Sequence, residues 1–394
     1  MGRLAWLLVS AFAAAALSAA PAHAQPELPG PLAFTAWDAG SVAAAGASIP
    51  TRVFYPTGGG GPYPIVGVVH GASRNGSYMR VMAETLASRG FVAVVPNMPC
   101  NVFGCDHDAN ANQLVALLDW AVAQGSAPGS PIAGLVDGGR RGLVGHSWGA
   151  LSSHLAAARD ARVHALVLLD PNDDGTVGAD AASSVGAPTA QLLAERSGAC
   201  NNQWNEGVVT PALSGASLQL TIAGSGHCDV EEPTDGLCAL ACGGGDAATT
   251  PLFRRYAVAW IACVLGGDAT VMPWVGGASL DADVTAGAVT GLATARLDTL
   301  ACRGGMLPDG GTGPATDAGT VPGADSGSAP GVDGGAARDA GATARLDAGP
   351  DAGADGGGCG CAIVSAPASG GALATFAAGM LALLRSRRPR SARR

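Results

Sequence analysis

The sequence predicts an α/β protein in which a mostly parallel central sheet carries helices on both faces. Three observations predict it. Short apolar runs alternate with helical patterns through the middle of the chain, the rhythm of βαβ units. The runs are apolar at nearly every position, as strands covered on both faces are. One of them exits directly into Gly145-His146-Ser147-Trp148-Gly149 and an Ala/Leu-rich helical stretch.

Taken in order, the strand runs are 51–55, 64–70, 91–96, 142–145, 165–169, 189–193 and 218–223. Helical patterns fill 77–89, 110–124, 150–159 and 251–265. In the last, Thr250 is read as the N-cap, Pro251 takes the first helical position and Gly266 stops the helix. Ligands of such sheets gather at the carboxyl ends of the strands, so the strand exits are where chemistry is expected.

The bend at 145–149 places a serine between two glycines, which let neighbouring backbones pass a strained strand-to-helix turn. That geometry lifts the Ser147 hydroxyl out of the sheet and aims the Trp148 amide at a developing oxyanion. After the run 64–70 comes Gly71-Ala72-Ser73, a loop of small residues. The Ala72 amide is expected to be the second oxyanion donor, with Gly71 setting the turn.

A serine nucleophile of this kind needs an acid and a base further along the chain. Among the seven histidines, His23 lies in the leader, His146 is inside the bend, His154 follows two helical turns later and His164 precedes a strand. His107, upstream between Asp106 and Asp108, is read as solvated. His227 follows the run 218–223, read here as the last core strand, and is the candidate base. Asp170 directly follows 165–169 and is the candidate acid, because a strand exit holds a side chain rigidly. Asp173, Asp174 and Glu195 stand as its rivals. Trp148, Trp204, Tyr78 and Met98 are candidate pocket residues, and no cofactor or metal is expected.

Residues 1–24 read as a secretory leader, with Arg3 ahead of an apolar stretch and Ala22-His23-Ala24 as the cleavage site. A catalytic domain is expected over 25–302. From 303 to 358 the composition shifts to Gly, Ala, Asp and Pro, with Asp-Ala-Gly recurring, and predicts a disordered spacer. Residues 359–394 hold Cys359-Gly360-Cys361, an apolar run and an Arg-rich end. This tail resembles the Cys-containing C-terminal sorting signals of myxobacterial surface proteins. The resemblance implies attachment to the outer surface or membrane, with arginines on the cytoplasmic side while the run spans the bilayer.

Eight of the ten cysteines fall in 25–302, which fits an oxidising compartment. Cys100 with Cys105 is the expected local bridge, and Cys238 and Cys242 are read as halves of two separate bridges; a zinc site is the rival reading. A net charge of −9 without a single lysine argues against a nucleic-acid surface.

Val69-His70-Gly71, the 145–149 bend, Leu169-Asp170-Pro171-Asn172 and Gly226-His227-Cys228-Asp229, in this order, resemble the chlorophyllase branch of the α/β-hydrolase superfamily. The segment 76–96 is also similar to the cutinase-type polyester hydrolases. The resemblance covers residues 50–265 and implies an α/β-hydrolase fold. The chlorophyllase pattern implies that the aspartate of the Asp-Pro pair, Asp170, is the triad acid. In the polyester hydrolases the acid follows the next strand, where this chain has Ala194-Glu195. Where chlorophyllases have Arg and then Gly-Gly after the serine, this chain has Trp148-Gly149-Ala150. The expectation is a monomeric, surface-tethered serine esterase with an open site and no large cap, suited to lipid-like or polymeric esters. A non-catalytic surface protein, and an acyltransferase or peptidase with the same triad, are the alternative classes.

Overall fold

The structure, a computed structural model, describes residues 25–195, 200–201, 210–243 and 245–303. The chain divides into two units, Met1–Thr320 and Val321–Arg394, and every described residue belongs to the first. The expected leader, Trp204, and the spacer and tail from 304 onward lie outside the described residues. Among those described, no helix is long and apolar enough to cross a membrane.

Among the described residues nine strands form one sheet. A hairpin of β1 (Phe34–Ala44) and β2 (Ala47–Pro56) runs antiparallel onto its edge, followed in space by β4 (Val92–Pro96), β3 (Tyr63–Val69), β7 (Val136–His146), β8 (Val163–Leu169), β9 (Thr189–Ala194), β10 (Ser217–Ile222) and β11 (Val289–Ala295). The six strands from β4 to β10 in this order are parallel. A separate two-strand hairpin, β5 (Cys100–Asn101) and β6 (Gly104–Cys105), stands at the exit of β4.

All seven predicted runs are strands. Two further strands of this sheet, β1 and β11, escaped prediction for a physical reason. β1 buries only Val42 and Ala44, and β11 exposes every residue but Val289, because an edge strand needs little apolar cover. The run 218–223 is therefore not the last strand of the sheet, since β11 pairs antiparallel outside it.

Alternation along each central strand divides the core in two. Val144, Val167 and Leu169 face α1 (Arg80–Ser88) and the long helix Thr250–Val264, with Trp260, Tyr256 and Phe253 fully buried there. Leu143, Leu166 and Leu168 face α2 (His107–Ser126) and α3 (Trp148–Arg159) on the other side. Among the described residues, the other fully described helices are α4 (Val177–Ala181), α5 (Gly236–Cys242), α6 (the helix Thr250–Val264), α7 (Met272–Gly276) and α8 (Ala278–Thr285). Thr250 is the first residue of α6 rather than its cap, because a 3-10 turn at Ala247–Thr249, capped by the Asp246 side chain, leads into it.

The β7–α3 bend fixes one point of this frame. Ser147 has φ +56° and ψ −125°, a conformation that costs a non-glycine residue energy unless its surroundings enforce it. Enforcement comes from the glycines beside it. A Cβ on Gly149 would overlap the His70 carbonyl oxygen, and one on Gly145 would overlap the Gly149 carbonyl, so β3, β7 and α3 meet here with no room for a methyl group. The obstructing atoms are backbone and cannot step aside. Gly149→Ala is therefore expected to destabilise the fold by about 1–3 kcal/mol, read as a lower urea midpoint. Gly58→Ala, with nothing within 4 Å of its Cβ, should leave the midpoint unchanged.

Candidate active site

Ser147 leaves β7 with its amide bonded to the Leu169 carbonyl at 3.0 Å, which ties the bend to the exit of β8. The next residue of β8 is Asp170. Its amide donates to the Leu192 carbonyl at 2.7 Å and its Oδ1 accepts the Ala194 amide at 2.8 Å, so β9 fixes the carboxylate in place. Its Oδ2 lies 2.5 Å from His227 Nδ1, with both side chains buried. His227 opens a 3-10 turn, His227–Val230, just past β10. Asp229 braces that turn by accepting from the Gly226 amide at 2.8 Å and from Thr249 Oγ1 at 3.3 Å.

The other three carboxylates lie elsewhere. Asp173 accepts from the amides of Asp174, Gly178 and Ala179 and so closes the first turn of α4. Asp174 is exposed and lies 3.9 Å from His107 Nε2. Glu195 is exposed, and its backbone amide bonds to the Ser225 carbonyl. Of the four carboxylates, Asp170 is the one bonded to His227.

His146 supports His227 from below. Its Nε2–H donates to the His227 carbonyl at 3.0 Å, and the two rings lie 4.6 Å apart. Burial holds His146 well below the usual histidine range, so it stays neutral. The Ser147 hydroxyl, on the adjoining residue, makes no hydrogen bond among the described residues; bonds of this kind tighten when substrate seats.

The loop carrying Ala72 passes close to the bend, since a Cβ on Gly71 would meet Ser147 Cβ at 3.1 Å and His146 Nδ1 at 3.2 Å. His70 anchors the loop. The Met98 amide donates to His70 Nε2 at 2.9 Å, so the ring proton is on Nδ1 and donates to the Gly71 carbonyl at 2.7 Å. Burial pushes the His70 imidazole down to about 4 against the weaker effect of the Gly71 bond. Among the described residues the amides of Ala72 and Trp148 bond to no protein group, the latter as the first N–H of α3. Ser73, Ser147 and Asp170, all at the site, are three of the five described non-glycine residues with positive φ.

Sequence reasoning missed Arg74. Its guanidinium bonds Glu231 through Nε at 2.8 Å and Nη2 at 2.5 Å, bonds Asp235 at 3.1 Å, and lies 3.5 Å over the Tyr78 ring. The loop of Ala72 is thereby bound to the segment that follows His227. Burial raises the Glu231 carboxyl, and Arg74 opposes that shift. His107 needs correction. It is buried with its ring edge-on to Trp148, 5.2 Å between centroids, because Asp106 caps α2 and makes His107 its first, inward-facing residue. Tyr78 donates to Asp235, and Met98 is buried beside His70, so both serve as supports of the loop.

The described cysteines are joined as Cys100–Cys105, Cys200–Cys242, Cys228–Cys238 and Cys263–Cys302. Cys238 and Cys242 thus belong to two separate bridges. The sulfurs of Cys228, Cys238 and Cys242 lie within 4.8 Å of one another, but as disulfide sulfurs they are not thiolate ligands, which removes the zinc reading.

No curated protein matches the chain. A family model described as PETase, PET hydrolase-like, matches residues 13–203, a stretch that includes Ala72, Ser147, Trp148 and Asp170 and ends before His227. The match falls on the polyester-hydrolase side of the resemblance and agrees with the mostly parallel, helix-flanked sheet. The chain therefore has an α/β-hydrolase fold, and over residues 13–203 it is similar to the PET hydrolase-like family.

Proposed function

We propose that the chain is a secreted serine hydrolase of carboxylic esters that acts through Ser147, His227 and Asp170. The observation that carries this reading is the buried 2.5 Å contact of Asp170 with His227 Nδ1, formed beside a serine on a strained bend. The carboxylate keeps the imidazole proton on Nδ1 and leaves Nε2 to accept one. His227 takes the Ser147 proton as Oγ bonds to the ester carbonyl carbon, and the amides of Trp148 and Ala72 receive the oxyanion. Collapse breaks the ester C–O bond, and the alcohol leaves with the proton from His227. Water then attacks the acyl-serine, passes its proton to His227, and frees the carboxylic acid as Oγ is reprotonated.

Similarity to the PET hydrolase-like family over residues 13–203 supports polyesters as the substrate class. Four disulfides support an extracellular site of action, and the leader and C-terminal tail support export and attachment to the cell surface.

Ser147→Ala is expected to lower p-nitrophenyl butyrate turnover by about 10⁴–10⁶-fold, and Asp170→Asn by about 10⁴-fold. Retention of more than a few per cent of wild-type turnover by Ser147→Ala would refute the assignment. Acid should unfold the protein through its buried neutral histidines. His70 and His154, each lowered to about 4, leave the fold at full stability above about pH 6.5, where both states are neutral. Between about 6.5 and 4 only the unfolded chain takes up these protons, so each site removes on the order of 3 kcal/mol. The urea midpoint is expected to fall steadily across that interval; a flat midpoint would show that the two rings are not held neutral.

A further inference from the structure

Four large apolar side chains stand more than half exposed on the described surface: Val102 (60%), Phe103 (94%), Leu237 (69%) and Leu240 (70%). All four stand on two short segments closed by disulfides. One is the β5–β6 hairpin, bridged at its base by Cys100–Cys105; the other is α5, held by Cys228–Cys238 and Cys200–Cys242. Both segments fasten to consecutive residues just after Ala72. The Ser73 amide donates to the Cys100 carbonyl at 2.9 Å, and the Val102 amide donates to Ser73 Oγ at 3.1 Å. Arg74 donates to Asp235, the cap of α5, at 3.1 Å. One apolar tip thus borders the oxyanion side of the site and the other borders the His227 side.

Rigid support separates these tips from ordinary surface leucines. A hairpin closed by its own disulfide cannot fold Phe103 back onto the body. In α5 the cysteines at 238 and 242 turn inward, while Leu237 and Leu240, three residues apart, form one outward ridge. Charge then selects the partner. Residues 100–105 and 236–242 contain no charged side chain. The neighbouring Arg74 is held by Glu231 and Asp235, so no free basic group is offered there to lipid phosphates. Asp106, next to the hairpin, would repel an anionic membrane, while Asp108 is paired with Arg159.

We propose that Val102, Phe103, Leu237 and Leu240 seat the protein on the surface of a solid, uncharged polyester and hold the Ser147 site over the chains that it cleaves. The inference rests on the ester-hydrolase reading and adds the physical state of the substrate. A dissolved small ester reaches Ser147 without these contacts, whereas a chain embedded in a solid does not come to the enzyme.

The test combines Phe103→Ser, Leu237→Ser and Leu240→Ser in the full chain, once in the active protein and once with Ser147→Ala. Adsorption of the Ser147→Ala protein to an amorphous polyester film is expected to weaken at least about tenfold when the three serines are introduced. Film erosion by the active triple variant should fall by a similar factor, while kcat/KM for dissolved p-nitrophenyl acetate stays within about twofold. The C-terminal tail is common to all these proteins, so the difference reports the two tips. Unchanged adsorption and erosion would overturn the proposal. So would a parallel fall in p-nitrophenyl acetate turnover, which would place the side chains in the pocket. Binding to phospholipid vesicles in place of the film, or a dimer split by the substitutions in light scattering, would assign the face a different occupant and also overturn it. If the protein adsorbs through these residues yet cleaves no ester, the docking surface stands and the triad reading falls.

Discussion

The site depends on a backbone contact that only glycine permits, the passage of α3 against the end of β3 at Gly149 and the His70 carbonyl. Any side chain at Gly149 separates the two elements. The separation would move the serine on one side of the contact and the Ala72 loop on the other, and the proposed chemistry needs those two within hydrogen-bond distance of a single reacting atom. The strain at Ser147 follows from the same contact, since a bend this tight leaves the residue at its apex no ordinary conformation.

Around that contact the buried polar groups are arranged to keep net charge out of the site's support. His70 and His146 are held neutral by burial, and each donates its ring N–H to a backbone carbonyl of a site loop, that of Gly71 and that of His227. Glu231, which burial alone would favour protonated, is instead matched by the two-pronged Arg74 guanidinium. A buried ion pair adds little net stability, but removing one partner is severe, because the other is left as an uncompensated charge. The consequence is positional: Arg74 and Glu231 fix the distance between the Ala72 loop and the turn of His227.

What the sequence revealed follows the range of the forces involved. The central strands were legible because burial on both faces imposes an apolar residue at almost every position. β1 and β11 were not, because the edge of a sheet imposes no such pattern. Ser147 was legible because its demands are local, two glycines and a change of period within a few residues. Four carboxylates satisfied the sequence requirement for an acid, and only their partners distinguish them: Asp173 bonds helix amides, whereas Asp170 bonds His227. Arg74 and Glu231 lie 157 residues apart in sequence, so no local signal connects them. His107 was misread because flanking aspartates report local charge, while the direction of its ring is decided by where α2 begins.

The turn of His227 raises a separate problem of stability. It leaves the edge of the parallel sheet and must be rigid to within a fraction of an ångström, yet the segment beyond it turns two leucines to solvent rather than into a core. Cystine takes the place of that core. Cys200, Cys228, Cys238 and Cys242 pack on one another beneath α5, and their two bridges close separations of 10 and 42 residues. In the chain-entropy account such loops stabilise by about 3 and about 4 kcal/mol, comparable to the full burial of one or two leucines each. Covalent closure therefore holds the turn of His227 in register while leaving the apolar ridge of α5 outside, an arrangement that hydrophobic packing alone would defeat by drawing the same leucines inward.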